Sequence, residues 1–416
     1  MTGLLDLSGL RRALARAVRG ARQSGGSCGL VLLDLDGFGA VNHSLGWAVG
    51  DRVLVEVAAR LRTWACGIPE GAVVARVAAD EFAVLLPHAD GTAMVARADQ
   101  LQELVGRPLR VGSRELVVGC AVGYAAGRDI TADELLRRAG AALARAKRRR
   151  RDAPVAYHNA LGREASWRLE TEQAIRSALA SGGPTVKYQP IVDLQSGRVI
   201  GTEALARLPR PDGRLAPPAS FIPVAEESGL IVELGAAVLR AACRQQVAWH
   251  RLGQAGPDFV TVNLSGRQVT SPTMRDTVTS ALEDAGLPPQ QLVLELTEAV
   301  AIDTPDALSV VSSLSDLGVR FALDDFGTGW SSLSLLKRFP IDILKVDISF
   351  VAGLGRVDDD TAVVRALIEL AHALGLTTIA EGVETAAQEK ILARLGCDAA
   401  QGYRYVPPRV PEWVLT

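Results

Sequence analysis

Residues 292–347 read LVLELTEAVAIDTPDALSVVSSLSDLGVRFALDDFGTGWSSLSLLKRFPIDILKVD, and this stretch decides the fold. It holds three apolar strand-like runs, Leu292–Leu296, Arg320–Asp324 and Ile343–Asp347, with a helical stretch over Pro305–Leu317 between the first two. Outward from it, similar runs stand at Lys187–Asp193, Val199–Arg207, Phe259–Leu264, Thr377–Ala380 and Ala400–Tyr405. Helical stretches at Ala236–Arg251, Met274–Ala285 and Ala362–Leu374 separate several of them. Eight strands with intervening helices predict a (β/α)8 TIM-like barrel, for which roughly 250 residues is typical. The link Leu194–Arg198 is too short for a parallel crossover, so the first two strands should form a hairpin and one barrel strand should run antiparallel.

Polar residues recur at matching places on these runs. Glu203 lies on the second, Asn263 ends the third, Glu295 lies in the fourth, and Asp324 and Asp325 end the fifth. Lys345 and Asp347 sit on the sixth, Glu381 ends the seventh and Gln401 begins the eighth. A charge inside an apolar strand is costly unless it is paired or binds a metal. In barrels of this kind the C-terminal strand ends converge on the face that carries the chemistry. Ordinary strand-end residues account for one or two such cases, not for a repeat around the barrel. Carboxylates with an amide can hold two divalent cations, which activate a water and clamp a phosphoryl oxygen. Lys345 among these acids would neutralise developing charge or orient the water. The inventory predicts phosphodiester hydrolysis.

Composition narrows the partners. Of 416 residues 48% are apolar and 22% charged, an ordinary soluble globular balance. The net charge of −2 gives no electrostatic reason to expect a nucleic-acid polymer. No apolar run approaches the ~20 residues of a membrane span. The opening Met1–Gly20 lacks the long apolar core of a secretory signal and reads as an amphipathic helix. Cys28, Cys66, Cys120, Cys243 and Cys397 are odd in number and show no CxxC spacing. A disulfide framework and a zinc site are therefore not expected, and a cytoplasmic location is. The histidines are dispersed as well, so any metal must be held mainly by oxygen, which favours magnesium or manganese.

The first half mixes strands, helices and hairpins, which is α+β. It reads as an opening helix, strand Leu30–Leu35, helix 50–63, strands Val73–Val77 and Phe82–Leu86, helix 91–105, a strand pair near 108–124 and helix 131–150. The basic run Lys147–Arg151 reads as a solvated helix end that complements the dipole. Helix 161–180 links the halves, and Ser181-Gly182-Gly183-Pro184 stops it. The expected organisation is a first domain over 1–158, a linker helix and barrel entry over 159–184, and the barrel over 185–416.

Residues 169–416 resemble the EAL domain family of cyclic-di-GMP phosphodiesterases. The resemblance rests on Tyr188-Gln189-Pro190-Ile191, Glu203-Ala204-Leu205 with Arg207, Val262-Asn263, Leu294-Glu295-Leu296-Thr297-Glu298 and Asp324-Asp325-Phe326-Gly327-Thr328-Gly329. Leu344-Lys345-Val346-Asp347, Ala380-Glu381-Gly382-Val383-Glu384 and Gln401-Gly402-Tyr403 complete it. It implies hydrolysis of cyclic-di-GMP to linear pGpG with two magnesium or manganese ions. By this resemblance Glu203, Asn263, Glu295 and Asp324 hold one ion, and Asp324, Asp325 and Glu381 the second. Glu203, Asp325, Lys345 and Glu381 form the catalytic group. Arg207 contacts a substrate phosphate, and Gln189, Leu205, Gln401 and Glu384 line the substrate site. The loop Asp325–Leu333, with Phe326, Gly327, Thr328 and Gly329, resembles a segment that couples metal binding to dimerisation, anchored by Glu298. A homodimer through this domain is the implied assembly. Trp330 stands where the family usually has Tyr, and Leu208-Pro209 follow Arg207 where an aromatic residue is common.

Residues 1–152 resemble a GGDEF diguanylate cyclase domain through Leu33-Asp34-Leu35-Asp36-Gly37-Phe38, Val41-Asn42, Gly50-Asp51 and Ala78-Ala79-Asp80-Glu81-Phe82. Within these 416 residues no sensory or membrane module stands ahead of it. Alanines replace the two glycines that let the backbone turn tightly onto a triphosphate, and at positive φ each is disfavoured by ~1 kcal/mol or more. Gly39 and Trp47 stand where lysine and histidine are usual, and Pro69-Glu70-Gly71-Ala72 lacks the product-inhibition motif. Asp34 and Asp80 keep the metal-binding acids, and Asn42 and Asp51 match the guanine-reading pair. The departures from the family pattern imply a degenerate cyclase that makes no product, and the four retained residues leave two readings of it: a site for GTP as an effector, or a purely structural remnant. Two other readings compete with the phosphodiesterase: a cyclic-di-GMP receptor without turnover, and a bifunctional cyclase and phosphodiesterase.

Overall fold

The computed structural model describes residues 2–111, 114–148, 153–210, 213–251, 256–298, 300, 307–326, 333–355 and 358–413. They form two units, Met1–Arg168 and Leu169–Thr416. In the first, helix α1 (Leu7–Ser24) starts where the Asp6 carboxylate accepts the Gly9 N–H at 2.7 Å and ends on left-handed Gly25. Strand β1 (Cys28–Leu35) is buried along its whole length. A strand buried on both faces belongs at a sheet's centre. It pairs antiparallel with β3 (Glu81–Leu86) and β6 (Cys120–Gly127). β2 (Val73–Arg76) flanks β3 and β7 (Val155–Ala156) flanks β6, giving the order β2-β3-β1-β6-β7. β4 (Leu109–Val111) and β5 (Arg114–Leu116) form a separate hairpin. The helices are α2 (Phe38–Leu45), α3 (Trp47–Cys66), α4 (Gly91–Gly106) and α5 (Ala132–Arg148). α2 was not expected from the sequence: between Gly37 and Gly46, both at positive φ, it buries only Phe38 and so has no apolar stripe to read. α6 (Asn159–Ala180) follows.

The second unit is a closed barrel. Its strands are β8 (Thr185–Asp193), β9 (Val199–Pro209), β11 (Phe259–Leu264), β12 (Leu292–Thr297), β13 (Arg320–Phe326), β14 (Ile343–Val346), β15 (Thr377–Ala380) and β16 (Ala399–Ala400). β10 (Leu215–Ala216) adds an outer strand beside β9. β8 pairs antiparallel with both β9 and β16, and the pairs from β9 round to β16 are parallel. The predicted hairpin and single antiparallel strand are therefore present. The eighth strand, expected to reach Tyr405, pairs only over two residues. Beyond Gln401 the chain presses onto the neighbouring loop, and a Cβ on Gly402 would come within 2.2 Å of the Val383 carbonyl oxygen. Among the described residues no helix is long and apolar enough to cross a membrane.

Strand alternation explains the barrel interior. Ile191, Phe259, Val293, Ala322, Ile343, Ile379 and Ala399 make one apolar cluster. β9 supplies Gly201 to this layer, where a Cβ would meet the Phe259 ring at 2.4 Å. Two residues further along, on the same face of each strand, stand Gln189, Glu203, Thr261, Glu295, Asp324, Lys345, Glu381 and Gln401. A dry floor thus carries a polar layer at the C-terminal end of the parallel strands, the end where barrels of this type place chemistry.

Candidate active site

Lys345 is the pivot of the polar layer. It is 1% exposed, and its Nζ lies 2.9 Å from Glu295 Oε2 and 3.6 Å from Asp324 Oδ1 and also pairs with Glu381 Oε1. Glu203 is held from two sides. Its Oε1 accepts from Asn263 Nδ2 at 2.7 Å and its Oε2 from Gln401 Nε2 at 2.6 Å. Side chains from β9, β11, β12, β13 and β14 and from the residues following β15 and β16 therefore meet in one cluster.

Charge is out of balance there: four carboxylates surround one ammonium. Burial, and then the neighbouring acids, push the Glu295 and Glu381 carboxyls well above the usual range against the pull of Lys345. Burial draws the Lys345 ammonium down, but Glu203, Glu295, Glu381 and Asp324 outweigh it and hold it well above its ordinary value. Glu295 Oε1 and Gln401 Oε1 are buried acceptors without a hydrogen-bond partner. Surplus buried carboxylate and orphaned oxygens are the donor set that a hard divalent cation satisfies. Among the described residues no three acidic, histidine or cysteine side chains are gathered closely enough to hold a metal as they stand.

Asp325 takes a special backbone position. β13 breaks register between Leu323 and Phe326, and Asp325 lies in the break at φ +57°. A bulge of this kind re-aims side chains, and non-glycine residues at positive φ recur at functional sites. Its N–H donates to Asp324 Oδ1 at 3.0 Å. Burial, Asp324 and Asp347 raise its carboxyl. Asp347, one of the polar residues of the sixth run, was given no role from the sequence. It also caps helix Ile348–Ala352, accepting the Ser349 N–H at 2.9 Å, and an acid directly before Ile348-Ser349 is a readable cap signal.

Beside Glu203 and Asn263 opens a groove of about 420 Å³ whose walls include Leu205, Pro218, Ile222, Ile231 and Val300, with Glu226 and Ser265 as polar points. Gln189 pairs in register with Glu203, and its Nε2 donates to the Val406 carbonyl at 3.4 Å. Arg207 is half-buried, with Nη1 donating to the Ala206 carbonyl at 2.9 Å. Glu384 is exposed, and Glu298 is buried directly after β12. Phe326 is packed with Leu323, Leu336 and Leu344. Gly327, Thr328, Gly329 and Trp330 lie outside the described residues.

In the first unit Lys147 Nζ lies 2.6 Å from Asp34 Oδ2 and 3.0 Å from Glu81 Oε1. The basic run expected to be solvated thus puts its first residue into an acidic pair. Burial, then Asp34, raises the Asp80 carboxyl. Asn42 Oδ1 is buried without a hydrogen-bond partner and sits where a Cβ on Gly50, next to Asp51, would be 1.9 Å away. Ala78 and Ala79 are exposed and neither has positive φ. The expected positive-φ penalty is therefore not incurred: the loop takes a shape that alanine accepts, with Arg76 donating to the Ala79 carbonyl. Trp47 is 77% exposed.

Comparison with known proteins divides the chain the same way. The family model "Diguanylate cyclase, GGDEF domain" matches residues 1–153, and "EAL domain" matches 172–408. The bifunctional diguanylate cyclase/cyclic di-GMP phosphodiesterase MucR of Pseudomonas aeruginosa is 36% identical over 98% of this chain and 58% of its own length. The signaling protein YkoW of Bacillus subtilis is 37% identical over 91% and 48%. The cyclic di-GMP phosphodiesterase PdeR of Escherichia coli is 35% identical over 98% and 61%. The chain thus spans about half the length of these relatives. A solved structure of the PaMucR phosphodiesterase in complex with c-di-GMP is 41% identical, covers 58% of this chain and 98% of its own, and has a TM-score of 0.56.

Proposed function

The chain belongs to the EAL domain family, with a GGDEF domain in tandem ahead of the barrel, and from that premise we propose that the barrel hydrolyses cyclic-di-GMP to linear pGpG. One water is consumed and one P–O ester bond breaks, leaving a phosphate on one product end and a hydroxyl on the other. The observation that carries the reading is the polar layer itself: Glu203, Glu295, Asp324, Lys345, Glu381 and Gln401 in one ring of strand positions beside a groove of about 420 Å³. That volume lies within the range of about 300–1,000 Å³ usual for small-molecule sites.

In this reading Glu203, Asn263, Glu295 and Asp324 hold one magnesium or manganese ion, and Asp324, Asp325 and Glu381 hold the other. Such a pair supplies Lewis acidity at a phosphoryl oxygen and lowers the pKa of a water. The chain's own residues do the rest. Lys345 offsets charge that builds on the phosphoryl oxygens. Gln401 and Asn263 fix the Glu203 carboxylate in one rotamer. Arg207 takes a substrate phosphate, the apolar wall with Leu205 takes a base, and Gln189 and Glu384 border the site. Glu298 and the segment 325–333 serve the coupling of this site to a homodimer, and the cytoplasm is the compartment. The test is incubation of the protein with cyclic-di-GMP and manganese, with the products resolved by chromatography. Metal-dependent pGpG is expected. Tight binding without product would replace the enzyme by a receptor.

The GGDEF domain is read as inactive in synthesis and responsive to GTP. Ala78-Ala79 add two methyl groups to the turn that must approach phosphates. Asn42 and Asp51 supply the guanine-reading groups, with Asp34 and Asp80 for a magnesium ion. No cyclic-di-GMP is expected from GTP. GTP is expected to raise phosphodiesterase activity through a coupling of about 1–3 kcal/mol. Titrating GTP against hydrolysis in the wild type and Asp51→Ala decides it: a flat wild-type response, or an equal rise in the variant, leaves the domain as scaffold.

A further inference from the structure

Two of the polar-layer residues, Lys345 and Glu381, are followed by segments that a single buried amide joins. Gln388 lies in the first turn of helix Ala386–Leu395 and is 8% exposed. Its Oε1 accepts three donors: the Glu384 N–H at 3.0 Å, the Thr385 N–H at 2.9 Å and the Thr385 hydroxyl at 3.0 Å. The Thr385 Oγ1 accepts the Gln388 N–H in return at 3.2 Å, which closes a capping box. An ordinary capping box stops there. Here the other end of the amide goes elsewhere: Nε2 donates to the Val351 carbonyl at 3.1 Å, inside helix Ile348–Ala352. That helix starts three residues after Lys345, and the capped segment starts at Glu381.

A second contact clamps the same two pieces. Gly382 has φ +66°, and a Cβ there would lie 2.1 Å from Ile348 Cγ1. The Glu381 N–H donates to the Val346 carbonyl at 3.0 Å. The backbone carrying Glu381 therefore lies flush on the helix that follows Lys345, and Gln388 fastens the far end of that contact. Gln268 builds the matching box after Asn263, accepting from Ser265 N and Oγ at 3.1 Å each. Its amide packs against Gly235 in helix Ile231–His250, where a Cβ would lie 1.9 Å from Gln268 Nε2, but among the described residues no hydrogen bond from Nε2 to that helix is present.

We infer that Gln388 is a positioning residue for the proposed hydrolysis, setting Glu381 against Lys345 by joining the segment after β15 to the helix after β14. The inference rests on the phosphodiesterase reading but can be read without it. Gln388→Glu separates the two functions of the amide. A glutamate keeps the capping box, which accepts either residue, but sets an acceptor against the Val351 carbonyl. Gln388→Met removes both contacts. Asp398→Ala is the control for lost stability alone. It deletes the carboxylate oxygen that takes Thr378 N at 2.8 Å and Thr378 Oγ1 at 2.7 Å at the opposite, N-terminal end of β15.

Kinetics of cyclic-di-GMP hydrolysis and manganese binding by calorimetry are measured on all four proteins. Gln388→Glu and Gln388→Met are each expected to lower kcat by about 10–100-fold, the cost of a misplacement near 1 Å, with KM within about threefold. Both are expected to weaken manganese binding about tenfold, the scale for groups that orient metal ligands. Asp398→Ala is expected to leave both close to wild type. A Gln388→Glu variant with wild-type kcat and metal affinity overturns the inference, and so does an equal loss in Asp398→Ala. Should the wild type bind manganese yet turn over nothing, the phosphodiesterase reading fails, and calorimetry alone decides for or against Gln388.

Discussion

Lys345→Met should cost the metal-free barrel about 3–5 kcal/mol of stability, and addition of manganese should return a large part of it without returning activity. The cost follows from what the ammonium holds. Glu295 is 1% exposed and its Oε2 has Lys345 Nζ at 2.9 Å, while Glu381 and Asp324 face the same nitrogen. Removing one partner of a buried pair leaves uncompensated charge, and breaking such pairs costs about 3–5 kcal/mol. In the variant the acids must take up protons or repel one another. A divalent cation binds the folded acids and not the unfolded chain, so it stabilises by roughly 2.7 kcal/mol at 100 times its dissociation constant. It cannot replace a positive group placed opposite the reacting phosphoryl oxygens, so turnover should stay down by about 10²–10³-fold. Thermal melting with and without manganese, beside steady-state rates, checks both parts. An unchanged metal-free melting point would show that Lys345 is not the charge anchor, and a rate within tenfold of wild type that it is not a catalytic group.

The barrel was readable because seven of the eight runs repeat one device, an apolar stretch carrying one or two polar residues, from Glu203 on the second run to Gln401 on the eighth. Chain order then gave the parallel barrel, and the short link at Leu194–Arg198 gave the one antiparallel strand. What the sequence could not supply was depth. Alternation alone does not say that Ile343 belongs to the floor and Lys345 to the layer above; the register between strands does. The eighth strand was read too long because Gln401-Gly402-Tyr403-Arg404-Tyr405 has strand-like composition. Its backbone instead turns to hydrogen-bond the 381–385 segment, with the Arg404 N–H donating to the Val383 carbonyl at 2.9 Å. Gln388 and Gln268 were overlooked although Thr385-x-x-Gln388 and Ser265-x-x-Gln268 are plain capping patterns. A cap signals where a helix starts; only a structure shows that the same amide reaches a neighbouring strand's helix. In the first unit, composition marked Lys147 as part of a solvated run, and only the packing of α5 against β1 brings it to Asp34.

Glu203→Ala is expected to remove turnover, by about 10³-fold or more, while the metal-free protein keeps its fold. Two effects on stability oppose each other. Gln401 Nε2 loses its acceptor, at about 1–3 kcal/mol for a buried donor left unpaired, while Asn263 Nδ2, on an exposed residue, loses its partner at less cost because water can replace it. Against that, one of four crowded carboxylates disappears. Glu203 is among the groups that raise Glu295 and Glu381, so its removal relaxes both toward ordinary carboxylate behaviour. The net change should be small. Glu203→Gln separates charge from shape more sharply. The new amide oxygen can still accept from Asn263. Gln401 can meet the new NH2 by rotating its own amide, because its Oε1 now has no hydrogen-bond partner. The hydrogen bonds are then restored and the repulsion is gone, so this variant should be at least as stable as the wild type without metal. Its turnover should nevertheless be as low as that of Glu203→Ala, since a neutral amide cannot replace a carboxylate in holding a divalent cation. Rates and melting points of the two variants read this directly. A Glu203→Gln protein within tenfold of the wild-type rate would mean that Glu203 acts through the hydrogen bonds alone, and the metal ligands would have to be sought among Glu295, Asp324, Asp325 and Glu381 without it.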